Sequence, residues 1–444
     1  MASIIERFYD LHPTSRRLYE ERAKGLFPDG VTHETRYLAP FPIYATHAEG
    51  ARKWDVDGNE YIDYVSGHGS LLLGHSHPAI VKAVSDHVAR GTHFGANTEV
   101  EIKWGELVIK LIPSAEKVRF TSSGTEATMM AMRLARAYTG KNKIIKFFDH
   151  FHGWHDYAAA NGNESGPGIP ASTWESMIVL PEVNDINSVE RALDADDDIA
   201  AIILEPTGAH MGVSPLKPAF LEELRAITEQ RGVVLLFDEV VTGFRSSPGG
   251  AQARFGVTPD LTSLAKVLGG GLPGGAVAGK TEILDMIQRR GDAEWDTNKR
   301  VPHPGTFNAN PLSAAAGATA LELVANTNAN AHAETMATRL KAGINNVMAR
   351  LEIPGCAYGI ASLVHLTMGT PTDPESINDM PHSEIRAAMT PEKLSGIKIS
   401  LLNAGVDPMW KTMIVSAKHQ EADIDFTIAA YEEGFSNMRE EGIV

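Results

Sequence analysis

The run Val233–Phe237 reads Val-Val-Leu-Leu-Phe and ends abruptly in Asp238–Glu239. Apolar residues without alternation suit a strand buried on both faces, as in a parallel sheet. In open α/β sheets ligands sit outside the carboxyl ends of the strands, so an acid directly after such a run points into a site. A second short run, Leu261–Ala265, ends in Lys266. Two strand ends would then carry an acid and an amine into one crevice. Lysine is costly to bury and shifts its pKa readily, which suits a Schiff-base amine. A buried Asp–Lys ion pair, or two solvated loop residues, is the ordinary reading of either residue alone; the surrounding sequence changes the weighing.

Val118–Thr121 is expected as a short strand that runs into Ser122-Ser123-Gly124-Thr125-Glu126 and then a helix through Tyr138. Strand, small polar turn and helix make an anion site, because exposed backbone N–H groups and the helix dipole favour a phosphate. An ordinary N-cap built from Ser, Thr and Glu is the alternative. The next strand, Ile144–Phe148, leads into Asp149–Asp156, with three His and two Asp in eight residues. That cluster is metal-like, and a metalloenzyme built on His150–Asp156 is the sharpest rival, although the spacing matches no zinc pattern such as HExxH. Ile199–Leu204 is a buried strand ending in Glu205-Pro206, and a loop carrying His210 follows. Gly269-x-Gly271-x-x-Gly274 is formally a dinucleotide fingerprint, but it follows no long strand, contains Pro273 and does not open a helix.

At 444 residues the chain has room for one large and one smaller domain. Residues 1–24 read as a charged amphipathic helix, and the Pro- and Gly-punctuated stretch Phe27–Pro42, with His33 and Arg36, as a loop. Ile43–Val65 alternates around Asp57–Gly58, a hairpin signal. His75 and His77 invite a metal reading, but a loop before a helix starting at Pro78 explains them better. Asn161–Trp174, rich in Gly, Pro and Ser, could close over a site. Helices are expected over Pro218–Arg231, from Ala314 to Ala325 and over 332–351, and Thr370–Ile385 as a surface loop in an α+β region 353–444. The net charge of −16 argues against nucleic acid or an anionic membrane as partner. One cysteine, Cys356, excludes an intrachain disulfide framework and fits a reducing cytoplasm. The N-terminus carries no long apolar core of a secretory signal, and no apolar stretch reaches the ~18 residues of a spanning helix.

DEVVTGFR at 238–245 followed by SLAK at 263–266 resembles the signature of the class III aminotransferases, fold type I enzymes that use pyridoxal phosphate (PLP). SSGTEA, FHGWHD, EPTG and GTFNANP fall in family order, and the resemblance covers nearly the whole chain. It implies an α/β fold, with a large domain on a mixed, mostly parallel sheet and a smaller α+β domain. The N-terminal segment 1–75 would contribute to the small domain and the dimer interface, 76–325 would form the PLP-binding domain, and 326–444 the C-terminal small domain. It also implies that Lys266 holds the cofactor and moves protons as general base and acid. Asp238 would pair with the pyridine nitrogen, keeping the ring an electron sink. Ser123, Gly124 and Thr125 would take the phosphate. Phe151 would stack on one ring face with His152 following it, Val240 would cover the other face, and Glu205 would lie with the cofactor set. Thr306 would reach the phosphate of the neighbouring subunit, in a homodimer with shared sites.

Arg36 stands where glutamate-1-semialdehyde aminomutases carry an Arg that holds a substrate carboxylate, a task suited to bidentate hydrogen bonds; His33 is a second candidate. His210 stands where those enzymes usually have Asn. There it would bond to the cofactor's phenolic oxygen or touch the substrate, with a satisfied loop histidine an even alternative. The implied reaction is ping-pong transfer of an amino group from an amino acid, with aromatic D- or β-amino acids favoured, to a keto acid or aldehyde. The alternative is a glutamate-1-semialdehyde 2,1-aminomutase. No metal is implied.

Overall fold

The computed structural model describes residues 3–160 and 166–444. The expected closing segment Asn161–Trp174 therefore begins outside the described residues; its remainder includes a short helix, Ala171–Trp174. The chain divides into two compact units. One comprises the chain up to His68, Leu72–His77 and Ala331–Val444; the other comprises Gly69–Leu71 and Pro78–Asn330.

The larger unit is built on a seven-stranded sheet in the order Lys117–Thr121, Gly275–Gly279, Leu261–Ala265, Val234–Glu239, Ile199–Leu204, Lys143–Phe147, Met177–Leu180. The last five of these run parallel to one another, and Gly275–Gly279 lies antiparallel between its two neighbours. The sheet is thus mixed and mostly parallel. Its central strand differs from the sequence expectation in one respect. Asp238 and Glu239 lie within the strand rather than after it, because Ser263 and Leu264 of the neighbouring strand pair with them in parallel register. All six residues of Val234–Glu239 are buried.

Side chains alternate between faces along a strand, and the packing follows that rule. Val234 and Leu236 join Ala127, Met130, Ala131 and Leu134 of the helix Gly124–Thr139 on one face. Leu235 and Phe237 join Leu221 and Leu224 of the helix Pro218–Arg231 on the other. Each such Val, Leu or Phe contributes about 1.5–3 kcal/mol by leaving water. The alternation also separates the two acids: Asp238 falls on the side of Gly124–Thr139 and Glu239 on the opposite side. Glu239 is held there by the N–H groups of Ala251 (2.5 Å) and Gln252 (3.1 Å), Gln252 Nε2 (2.9 Å) and Thr242 Oγ1 (2.9 Å).

In the smaller unit, the single helix expected over 1–24 is two, Ile4–Leu11 and Pro13–Glu21. Pro13 has no N–H to continue the first helix and its fixed φ suits the start of the second. Likewise, 370–385 is not a plain loop: a 3-10 turn, Pro374–Asp379, and a helix, His382–Ala388, start at or just after its prolines. The expected hairpin forms with Arg52–Asp55 antiparallel to Glu60–Asp63, and Ala45–Glu49 and Val406–Asp407 complete a four-stranded sheet. A second, three-stranded sheet joins Gly355–Tyr358, Leu363–Met368 and Thr412–Ile414. Among the described residues no helix is long and apolar enough to cross a membrane.

A buried ionic network ties the first sheet together. Lys53 pairs with Asp63 (3.0 Å) and with Asp407, Lys398 also pairs with Asp407, and His75 Nε2 meets Asp63 Oδ2 at 2.6 Å. His75 is therefore spent on a carboxylate. Burial alone would raise the pKa of Asp63, but Lys53 and His75 outweigh it and hold the group well below the usual carboxylate range. Burial is likewise outweighed at Asp407 by Lys398 and Lys53. A depressed folded-state pKa gives stability that is present above the unfolded carboxylate pKa and lost as pH falls through the folded one. The melting temperature is expected to drop steeply below about pH 4, and Asp63→Asn should flatten that drop. Lys53→Met, which leaves Asp63 to His75 and Asp407 to Lys398, should cost about 1–3 kcal/mol in urea unfolding at neutral pH.

Candidate active site

Strand Leu261–Ala265 delivers Lys266 with a φ of +50°, a left-handed backbone that a non-glycine residue adopts only when its surroundings impose it. Burial lowers the pKa of its amine, while Asp238 and Glu205 pull it back up and Arg245 lowers it further. A lysine so placed keeps more of its amine neutral and nucleophilic.

Asp238 is buried and fixed at both oxygens. Oδ2 meets His152 Nδ1 at 2.7 Å, and Oδ1 accepts the Val240 N–H at 3.0 Å. His152 is itself buried, 1% exposed, and its Nε2 has no hydrogen-bond partner among the described residues. The imidazole therefore serves one acid and orients it.

The Gly124–Thr139 helix begins with a Ser123 cap. Ser123 Oγ accepts the Glu126 N–H at 3.2 Å, and Glu126 Oε2 accepts the Ser122 N–H at 2.7 Å. The first N–H groups, at Gly124 and Thr125, lie at the positive end of the helix dipole. Gly124 is required by close packing: a Cβ there would lie 2.9 Å from Val240 Cγ1 and 3.4 Å from Ala265 Cβ. Gly153, at φ +96°, brings its loop against the same turn, since a Cβ would lie 2.7 Å from Thr125 Oγ1. Thr128 Oγ1 donates to the His152 carbonyl at 2.6 Å and ties the two together.

Glu205 acts through the backbone. Oε1 accepts the N–H groups of Phe151 and His210, each at 3.0 Å, Oε2 accepts that of Met211 at 2.9 Å, and the Glu205 N–H donates to His150 Nδ1 at 3.0 Å. Burial raises the pKa of Glu205, against the effect of His210 and His152. His210 Nε2 lies 3.3 Å from Asp149 Oδ2. Phe151 is 59% exposed.

Ser123, Gly124, Thr125, Phe151, His152, Glu205, His210, Asp238, Val240 and Lys266 thus all belong to the larger unit, at the carboxyl ends of its parallel strands and the start of one helix. Thr306 lies in the same unit on an exposed loop, its carbonyl 2.5 Å from His93 Nε2. Among the described residues no hydrogen bond or ion pair joins it to Ser123, Gly124 or Thr125. Arg36 and His33 belong to the smaller unit. Both are exposed; Arg36 Nη1 donates to Thr32 Oγ1 at 3.0 Å, and the His33 ring stacks on His68 at 4.9 Å.

The histidines of the 149–156 stretch turn to different partners: His150 to the Glu205 N–H, His152 to Asp238, and His155 to the Ala158 N–H and Thr128. Among the described residues no three His, Cys, Asp or Glu side chains converge as a metal site would need.

Two residues escaped the sequence reading. Thr128 sits one turn into the helix, where its motif gave no cue. Lys146, buried in strand Lys143–Phe147, donates to the carbonyls of Ala158 (2.8 Å) and Ala160 (2.7 Å), and burial pushes its pKa down to about 8. A lone Lys inside Ile-Ile-Lys-Phe was the available signal.

The donor set fits PLP. The cofactor's aldehyde needs a neutral amine, its pyridine nitrogen a fixed buried acid, and its phosphate the N–H groups of a helix start; Lys266, Asp238 and the 122–126 turn offer these.

The sequence profile of the family described as "Aminotransferase class-III" matches residues 34–356. A curated relative, glutamate-1-semialdehyde 2,1-aminomutase 2 of Brevibacillus brevis, is 41% identical over 94% of this chain and 96% of its own length. An omega-transaminase from Sphaerobacter thermophilus superposes with a TM-score of 0.87 at 35% identity, covering 96% of this chain and 98% of its own. A β-phenylalanine aminotransferase from Variovorax paradoxus does so with a TM-score of 0.87 at 30% identity, covering 99% and 97%.

Proposed function

The chain belongs to the class-III aminotransferases, PLP-dependent enzymes of fold type I, and on that premise we propose that it moves an amino group on a carboxylate-bearing substrate, with Lys266 and Asp238 as its catalytic pair. The observation that carries this is the buried Asp238–His152 contact beside a lysine whose amine is held below its ordinary pKa. When bound, PLP supplies the electron sink for the carbanion formed at the amine-bearing carbon. Lys266 Nζ takes the proton from that carbon and returns it at the far end of the transfer. Asp238, aimed by His152, keeps the ring nitrogen protonated. The N–H groups at Ser123, Gly124 and Thr125 bind the phosphate, and Phe151 and Val240 cover the ring faces. Glu205 is a positioning residue that sets Phe151 and His210 through their backbone.

We also propose a homodimer in which Thr306 reaches the neighbouring subunit's phosphate. Phe307, 60% exposed on the same loop, and Phe94, 49% exposed, offer apolar area for such a contact. The single cysteine, buried Cys356, suits a reducing cytoplasm.

Two substrate readings remain. The curated relative favours the aminomutase, in which one molecule of glutamate 1-semialdehyde gives up its 2-amino group and receives it at C1. The transaminase and β-phenylalanine aminotransferase neighbours, together with His210 in place of the usual Asn, favour an intermolecular reaction on an aromatic D- or β-amino acid. Supplying glutamate 1-semialdehyde alone separates them. Multiple turnovers without a second carbonyl compound establish the aminomutase. Turnover only with phenylglycine or a β-amino acid plus a keto acid establishes the aminotransferase.

In either case Arg36→Ala should raise KM roughly 10- to 100-fold for carboxylate substrates, the worth of charged hydrogen bonds, with little change for an amine without a carboxylate. Equal effects on both would reject Arg36 as the carboxylate anchor.

A further inference from the structure

Thr128 Oγ1 has one hydrogen and four neighbours: the carbonyls of Gly124 (3.2 Å), Thr125 (3.0 Å) and His152 (2.6 Å), and His155 Nε2 (3.3 Å). A threonine inside a helix ordinarily bonds the carbonyls three and four residues back. Here the closest acceptor lies 24 residues on, outside the helix. That carbonyl belongs to buried His152, and among the described residues Thr128 is its one hydrogen-bond donor. With the hydrogen spent there, Oγ1 can only accept from His155. The His155 imidazole then carries its hydrogen on Nε2, which leaves Nδ1 to accept the Ala158 N–H at 3.4 Å. Both contacts need a neutral ring. Burial, with His152, Arg136 and Lys146, pushes its pKa down to about 4, against Asp238. Lys146 holds the turn that follows through the carbonyls of Ala158 and Ala160.

We propose that Thr128, set by His155, is a positioning residue for Asp238: its hydroxyl fixes the His152 main chain so that the imidazole keeps its N–H on the carboxylate. The proposal rests on the reading of Asp238 as the acid at the ring nitrogen. His152 Nδ1 stands 2.7 Å from Asp238 Oδ2, and its Nε2 has no partner among the described residues, so nothing at the far side of the imidazole steers it. The backbone has to do so, and Thr128 grips that backbone at its carbonyl. A hydrogen bond given to a carboxylate favours its charged form. Asp238 so served competes weakly for the proton on the ring nitrogen. If His152 turns away, the carboxylate becomes more basic, the proton shifts from the nitrogen to an Asp238 oxygen, and the ring becomes a poorer electron sink.

The test compares Thr128→Val, which keeps the shape and loses the hydroxyl, with Thr128→Ser, which keeps the hydroxyl. Both are prepared as holoenzyme carrying PLP isotopically labelled at the ring nitrogen. In Thr128→Val the NMR signal of that nitrogen should move from the position of a protonated pyridine toward that of a neutral one. Its kcat/KM should fall roughly three- to ten-fold, the worth of one hydrogen bond, by the same factor for every amino donor. Thr128→Ser should restore the signal and bring kcat/KM back to within about two-fold of wild type. His155→Phe, which removes the donor behind Oγ1, should move the signal in the same direction as Thr128→Val. A wild-type nitrogen signal in Thr128→Val overturns the proposal. So do equal losses in the valine and serine variants, which would assign the effect to packing rather than to the hydroxyl. Should the valine variant fail to fold, Thr128→Ala takes its place in the same comparison. Asp238→Asn, measured alongside, separates the proposal from its premise. Loss of the ring proton in Asp238→Asn but not in Thr128→Val defeats the role of Thr128 alone. A ring that stays protonated in Asp238→Asn removes Asp238 from the ring nitrogen, and the premise falls with it.

Discussion

Lys266→Ala should lower steady-state turnover by at least roughly 10⁴-fold, the upper end of what a positioned acid–base group contributes, because the same amine is also the one proposed to form the covalent link to the cofactor. The protein itself should survive the change. Removing a half-buried amine relieves a desolvation cost, and alanine carries a Cβ as the lysine does, so the left-handed backbone at φ +50° costs the variant no more than the wild type. Circular dichroism should stay native while borohydride no longer fixes PLP to the chain. Near-normal turnover in that variant would place the reacting amine elsewhere and remove Lys266 from the mechanism.

Asp238→Asn should lower kcat by roughly 10²- to 10³-fold, the scale of losing one preorganised electrostatic contact. Asparagine keeps the shape and can still accept from His152, but it cannot hold a proton on a pyridine nitrogen. The adjacent acid is the control. Glu239→Gln removes the same charge one residue along the strand, on the face where the 251–252 N–H groups and Thr242 consume it. That change should cost about 1–3 kcal/mol of stability and leave kcat within a few-fold. Equal losses of kcat from both would mean that the two faces do not divide the work as described.

The core of the larger unit was legible because a strand buried on both faces is expected to be apolar at nearly every position, as Val233–Phe237 and Ile199–Leu204 are throughout and Leu261–Ala265 is but for Thr262 and Ser263. The strand–turn–helix at 117–139, whose turn is proposed to take the phosphate, was legible because strand, Ser-Ser-Gly-Thr-Glu and helix are contiguous. What stayed hidden depends on partners far along the chain. Glu205 looks like a strand-end acid in the same position as Asp238, yet its oxygens are occupied by N–H groups at 151, 210 and 211. No local pattern announces that. The strand's extension through Glu239 depends on pairing with Ser263 and Leu264, and the division of 1–24 into two helices turned on a single proline whose effect the amphipathic pattern masked.

Glu205 also bears on how such an enzyme changes its substrate over evolutionary time. One carboxylate fastens the loop that presents Phe151 and the loop that presents His210, so the two move as one part. A substitution at 208–211 that moves this loop's backbone is expected to shift the residue proposed to press on the ring as well. Its effect therefore depends on what stands at 149–151, as expected for residues in one hydrogen-bonded network. Changes that move the backbone of either stretch are then expected to be coupled to the other, some sixty residues away, through the one carboxylate.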